Sequence, residues 1–258
     1  RQTPVTLARR PVCPSDRPLA LPGKQFGTPR PLAEAEIEDI IRRFAHVATV
    51  ARETGFTGVQ IHAAHGYLLS EFLSPDVNTR SDAWGGSLAN RALLLLEVVR
   101  AVRAAVGRDF PLSVKLNSAD FQRGGVDALE LSGGTYEAPK MMTDAITLDA
   151  AKAEHLRAST IAREAYFLEY ARDIRAATRL PLLVTGGFRS VVGMNAALAS
   201  GATDLIGLGR PLCVAPDIAA RLLDGRAATC PAPEQTLRLG PTRWLGPASP
   251  LALVKLVN

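Results

Sequence analysis

Gly58-Val-Gln-Ile-His-Ala-Ala-His-Gly-Tyr67 begins as a strand and ends in polar chemistry. Val59 and Ile61 alternate with Gln60 and His62, so the two faces of this strand differ in character. Leu112–Asn117 repeats the pattern, with Ser113, Lys115 and Asn117 opposing Leu112, Val114 and Leu116. Glu130 and Ser132 likewise oppose Leu129 and Leu131. Strands of a parallel sheet usually bury both faces and read as continuous apolar runs. A persistent polar face has two explanations. One is a sheet with a solvated side. The sharper one is a barrel whose lumen mouth carries a polar ligand.

Outward from this stretch, strands and helices alternate, as in an α/β fold with parallel strands. A helix is expected from Ala33 to Thr54, with Ile37, Ile41, Phe44, Val47 and Ala51 as its apolar stripe and Gly55 at its end. After the strand Gly58–Ala63, residues 74–87 read as a polar loop. Arg80, Asp82, Trp84, Gly85 and Gly86 crowd that loop, and internal pairing is its expected role. Ser87 can cap a helix that reaches Val106 and stops at Gly107. Further strands are expected at Pro111–Asn117, Asp127–Ser132, Leu180–Thr185 and Asp204–Leu208. Helices are expected at Ile161–Thr178, after Ser190 and from Asp217. Residues 1–31 are proline-rich loop, and the tail after Arg226 is loop with a last helix near its end. The whole reads as a single domain, 1–258. Between two strands that should be parallel lie only nine residues, Ser118 to Val126. A crossover helix needs roughly ten to twelve, so a segment is expected to be missing near Gly125–Val126.

Composition narrows the function classes. The chain is 47% hydrophobic with a formal net charge of +5, and its basic residues are scattered rather than clustered with aromatics. Nucleic-acid binding is therefore not expected. No apolar run approaches membrane length, and no signal peptide is visible. Cys13, Cys213 and Cys230 are widely separated and odd in number, which suits a reducing cytoplasm. The sequence is compatible with a homo-oligomer.

The chemistry concentrates at His62, His65 and Tyr67. Neutral imidazoles can donate to a carbonyl oxygen as it becomes an enolate, and a phenol can act as general acid. The blander reading is a pair of core histidines beside a packed tyrosine. A zinc reading of His-x-x-His lacks a third ligand at supporting spacing, so no metal is expected. Lys115, on a polar strand face, could stabilise negative charge on a cofactor ring, or simply reach solvent from a strand end. Thr185-Gly186-Gly187-Phe188-Arg189-Ser190 follows one strand and Leu208-Gly209-Arg210-Pro211 the next. Glycine turns at helix starts admit phosphate, and Arg210 adds a charge-assisted contact. Ordinary tight turns would look much the same.

These residues resemble the Old Yellow Enzyme family of flavin-dependent ene-reductases. Gly58–Pro75 with Asn78–Arg91 looks like the family's fourth strand and following loop, and Ser113–Asp120 like its fifth strand. Glu130–Pro139 looks like the segment at the sixth. Val184–Arg189 and Ile206–Arg210 look like the phosphate turns after the seventh and eighth. The likeness covers most of residues 25–225. It implies a (β/α)8 TIM barrel that binds FMN and takes electrons from NADH or NADPH in a ping-pong cycle. The substrate would be an α,β-unsaturated carbonyl compound. His62 and His65 would bind its oxygen, and Tyr67 would protonate Cα. Lys115 would favour the anionic reduced ring, and Gly186, Gly187, Phe188, Gly209 and Arg210 would line the phosphate site. No iron–sulfur cluster is expected.

By the same resemblance the barrel is incomplete. Arg1-Gln2-Thr3-Pro4 looks like the sequence directly after the third strand, so strands four to eight are expected here and the first three lie outside. The C-terminal family segment also looks cut short near Asn258. The alternative to an enzyme is then a truncated, non-catalytic fragment that acts only through a partner or complementing half.

Overall fold

The computed structural model describes residues 3–19, 26–117, 126–132 and 168–232. They fall into two compact units, one from residues 1–138 with 177–181, the other from 139–176 with 182–258. The expected gap at Gly125–Val126, the start of the 161–178 helix and the last helix lie wholly or partly outside the described residues.

In the first unit, β1 (Val12–Cys13) pairs in parallel with β2 (Arg30–Pro31). This is a short piece of order inside the expected loop. Helix α1 (Glu34–Glu53) follows. Its first turn is held by Glu36, whose carboxylate accepts from the Ala33 N–H at 2.9 Å and pairs with Arg30 at 2.6 Å. That pairing holds the Glu36 carboxyl down at about 2. Then come β3 (Val59–Ala63), α2 (Leu68–Leu73), α3 (Leu88–Val106), β4 (Leu112–Asn117) and β5 (Ala128–Ser132). Strands β3, β4 and β5 are parallel with β4 central, and His62, Lys115 and Glu130 fall in one register row.

Alternation along the strands produces the expected two faces. Leu112, Val114 and Leu116 are buried, while Ser113, Lys115 and Asn117 are only partly so. The buried set joins Ile37 and Ala48 of α1 and Leu94, Val98 and Val102 of α3 in the core. Each of these Leu, Val and Ile side chains contributes roughly 1.5–3 kcal/mol on burial. Val47, placed in the apolar stripe by spacing, is instead 65% exposed, and Ala48 takes the inward position. The stripe steps 37, 41, 44, 48, because 3.6 residues per turn carries the buried face past 47. Helix α2 was not expected. Leu69 to Leu73 are all buried, and a helix buried all round has no amphipathic period to read.

The loop at 74–87 pairs within itself through Arg80–Asp82 and Asn78–Trp84, as expected, and is also tied to residues outside it. Arg80 binds Asp82 and donates to the carbonyls of Leu32 and Pro14 at 2.8 and 3.2 Å. Asn78 donates to the carbonyls of Phe72 and Trp84, each at 2.8 Å.

The second unit holds all but the last residue of α4 (Leu168–Ala177), then β6 (Leu182–Thr185) and α5 (Val191–Ala199). β7 (Leu205–Gly207), α6 (Arg210–Val214) and α7 (Ile218–Leu223) follow. Here β6 and β7 are parallel, and Ser190 caps α5 by accepting from the Gly193 N–H at 3.0 Å. Helix α6, only five residues long, was not expected.

One device recurs in both units. Asp127, just before β5, accepts from the Leu112 N–H at 2.7 Å and pairs with Arg103 of α3. Asp204, just before β7, accepts from the Leu182 N–H at 2.8 Å and pairs with Arg175 of α4. Each carboxylate thus ties a helix to the start of a strand, and each is held below the usual carboxylate range despite the opposing pull of desolvation. For Asp127→Ala, the Leu112 N–H would be left buried without its acceptor, a loss of about 1–3 kcal/mol. A lower urea midpoint at unchanged slope should report it, and Asp127→Asn should recover most of the loss.

Candidate active site

Where β3 ends, the chain turns sharply over Ala64–Tyr67, closed by the Tyr67 N–H to the Ala64 carbonyl at 3.3 Å. Both central residues have positive φ, 62° at His65 and 74° at Gly66. Glycine adopts this region readily, whereas a histidine there is strained. The turn folds His65 and Tyr67 back beside His62. The His62 ring lies 5.1 Å from that of His65 and 5.2 Å from that of Tyr67, each edge-to-face. The three side chains picked from the sequence therefore form one cluster.

Protonation follows from the surroundings. The Ala64 N–H donates to His62 Nδ1 at 3.3 Å, so in the neutral ring Nε2 carries the proton. Burial lowers the His62 pKa, helped by the nearby Lys115 cation and opposed by Glu130. His65 is pushed down to about 4, again by burial first, then by His62 and Lys115. Both imidazoles are thus neutral near pH 7, each with one N–H to donate. Tyr67 is 44% exposed and remains reachable.

Lys115 is only partly exposed and is paired within the polar face. Its ammonium lies 2.9 Å from the Glu130 carboxylate, whose side chain is only 10% exposed. Above this row, His65 Nε2 lies 3.0 Å from Ser132 Oγ, and the His65 N–H donates to Asn117 Oδ1 at 2.9 Å. Asn117 Nδ2 donates to Ser70 Oγ at 3.0 Å. The polar face is therefore layered, with Gln60 and Ser113 lowest, His62, Lys115 and Glu130 next, and His65, Asn117 and Ser132 at the top. Glu130, Asn117, Ser132 and Ser70 were not singled out as site residues from the sequence. The signal for three of them was the strand alternation itself; Ser70 carried none.

The glycine-turn residues sit in the second unit. Gly186 and Gly187 have φ of 139° and 82°, a conformation that favours glycine. Among the described residues, no atom beyond those of its chain neighbours lies within 4 Å of where a Gly209 side chain would begin. Phe188 is 1% exposed, which leaves only its backbone for a ligand. Arg210 opens α6 and is partly buried.

Among the described residues, no group of three histidine, cysteine or acidic side chains is placed to hold a metal ion, and none of the three cysteines is in a disulfide. No helix there is long and apolar enough to cross a membrane. A hollow of about 590 Å³ opens at the other end of the β3–β5 strands, lined by Thr57, Gln60, Pro111, Ser113 and Asp127. It holds none of the imidazoles. Chemistry in barrel folds gathers at the carboxyl ends of the strands, and here the His–Tyr cluster sits at that end.

Hydrogen-bond donors massed where parallel strands end mark the active-site end of an α/β enzyme. Comparison with known proteins narrows the class: the chain belongs to the NADH:flavin oxidoreductase / NADH oxidase family, whose model matches residues 2–229. That family has the (β/α)8 barrel fold, and the parallel strands β3–β7 with their helices are consistent with strands four to eight of it. The chain is 40% identical over 208 residues to the NADH-dependent flavin oxidoreductase iliE of Neonectria sp. (strain DH2), across 74% of this chain and 27% of that protein. It is 34% identical over 225 residues to 12-oxophytodienoate reductase 2 of Arabidopsis thaliana, across 86% of this chain and 58% of that one. A solved complex of 2-naphthoyl-CoA reductase with 2-naphthoyl-CoA superposes at a TM-score of 0.71 and 26% identity, over 93% of this chain and 36% of that chain. The chain therefore spans from about a quarter to three-fifths of the length of these relatives.

Proposed function

We propose that this chain is the catalytic part of an FMN-dependent oxidoreductase that uses NADH or NADPH to reduce the C=C bond of an α,β-unsaturated carbonyl compound. The observation that carries the reading is the donor cluster: two neutral imidazoles and a reachable phenol, with the His62 ring 5.1 Å from that of His65 and 5.2 Å from that of Tyr67. His62 Nε2–H and an N–H of His65 would hold the carbonyl oxygen and stabilise the negative charge that gathers there. Tyr67 would deliver its proton to Cα.

The residues present suit a flavin. Gly186 and Gly187 turn with positive φ, and among the described residues none beyond its chain neighbours crowds Gly209. These, with the Phe188 backbone and Arg210, would hold the FMN phosphate, and Lys115 would favour negative charge on the ring. When bound, FMN supplies the hydride that reaches Cβ. Names among the relatives, a flavin oxidoreductase and a 12-oxophytodienoate reductase, support both halves of the reading. Small-molecule substrates, a cytoplasmic setting and self-association are part of the same proposal.

A native mass spectrum of the purified natural protein tests it. The expected result is an FMN-sized adduct, lost on denaturation, and bleaching of the flavin by NADH or NADPH followed by recovery with an enone. A flavin-free protein that binds neither FMN nor a phenol would overturn the assignment and favour a non-catalytic fragment.

A further inference from the structure

His65 is the only residue other than glycine with positive φ among the described residues. Such a conformation costs on the order of 1–3 kcal/mol and persists only where neighbours over-determine it. The neighbour that does most here is Asn117. Its Oδ1 accepts from the His65 N–H at 2.9 Å, and its Nδ2 donates to Ser70 Oγ at 3.0 Å. Ser70 Oγ in turn accepts from the Gly66 N–H at 3.3 Å. One amide at the end of β4 thus grips both central residues of the turn, one directly and one through α2. Ser70 is 3% exposed, so water does not readily replace it.

We propose that Asn117 is a positioning residue, its amide clamping the Ala64–Tyr67 turn and so aiming the His65 imidazole onto the face it shares with His62. The inference rests on the oxyanion role proposed for the two histidines. Without the clamp, the turn relaxes toward negative φ and the His65 ring leaves its place against Ser132. The donor pair then loses one member although both histidines remain.

The ring reports its own position. His62, Lys115 and Glu130 are the titratable groups that act on it, and burial dominates. In the full chain, the His65 Cε1–H proton resonance should stay at its neutral position from pH 8 down to pH 5. In Asn117→Ala it should titrate within that range, as a solvated imidazole does. Binding of a para-substituted phenol should weaken about tenfold, as for one lost hydrogen bond. A folded Asn117→Ala protein whose His65 resonance stays silent down to pH 5 overturns the proposal. Ser70→Ala removes the second anchor with little change in volume and serves where Asn117→Ala does not fold. It should move the same resonance in the same direction, and no movement is again fatal. If the resonance moves as expected but the unsubstituted protein binds no phenol, the clamp stands and the oxyanion reading falls.

Discussion

Tyr67→Phe is expected to slow reduction of an enone by about 10²–10⁴-fold, the usual contribution of a positioned general acid, while leaving reduction of the flavin by NADH nearly unchanged. The substitution removes one oxygen and keeps the ring. The edge-to-face contact with His62, at 5.2 Å between centroids, should therefore survive. The imidazoles would still hold the substrate oxygen, so substrate affinity should change little. Only the proton for Cα is lost. Stopped-flow measurement separates the two half-reactions, and an equal loss in both would remove Tyr67 from the proton-donor role.

The largest effect on stability is expected at Glu130. Lys115 and Glu130 are neighbours across β4 and β5, 2.9 Å apart, with side chains 21% and 10% exposed. Exposed ion pairs contribute roughly 0–1 kcal/mol. Removing one member of a buried pair instead strands the other, at about 3–5 kcal/mol. Lys115 keeps some access to water, which places Glu130→Ala near the lower figure. At about 2–4 °C per kcal/mol for a domain of this size, melting should fall by roughly 6–12 °C. The double change Lys115→Met with Glu130→Leu should recover most of that loss, because neither charge is then left alone. A single variant that melts within a degree of the parent would mean the pair is solvated and energetically idle.

Much of this was legible in the residues. Strand alternation at Val59–Ala63, Leu112–Asn117 and Ala128–Ser132 announces the polar face in the sequence itself. Ser87 and Ser190 marked helix starts because a short hydroxyl side chain can reach back to an unpaired N–H. Helices α2 and α6 were not legible. One is buried all round and the other too short for any period to show. Val47 was misplaced by a single position, since a stripe read over a few residues does not distinguish the residue on the inner edge from its neighbour.

The sequence by itself determined the chemical inventory: two imidazoles and a phenol within six residues of a strand end, a lysine on a polar face, and glycine turns behind two later strands. Local chemistry and periodicity are written in consecutive residues, so they can be read there. Only the tertiary structure decided that Lys115 is paired with Glu130, and that Asn117 and Ser70 hold His65 in a left-handed turn. Glu130 stands 15 positions from Lys115, Asn117 stands 52 from His65, and Ser70 stands four from Gly66, whose N–H it accepts. Parallel pairing brings the first two together at neighbouring strand ends, and the turn brings the third. Hydrogen bonds and charge pairing act over a few ångströms of space, and sequence distance does not measure that.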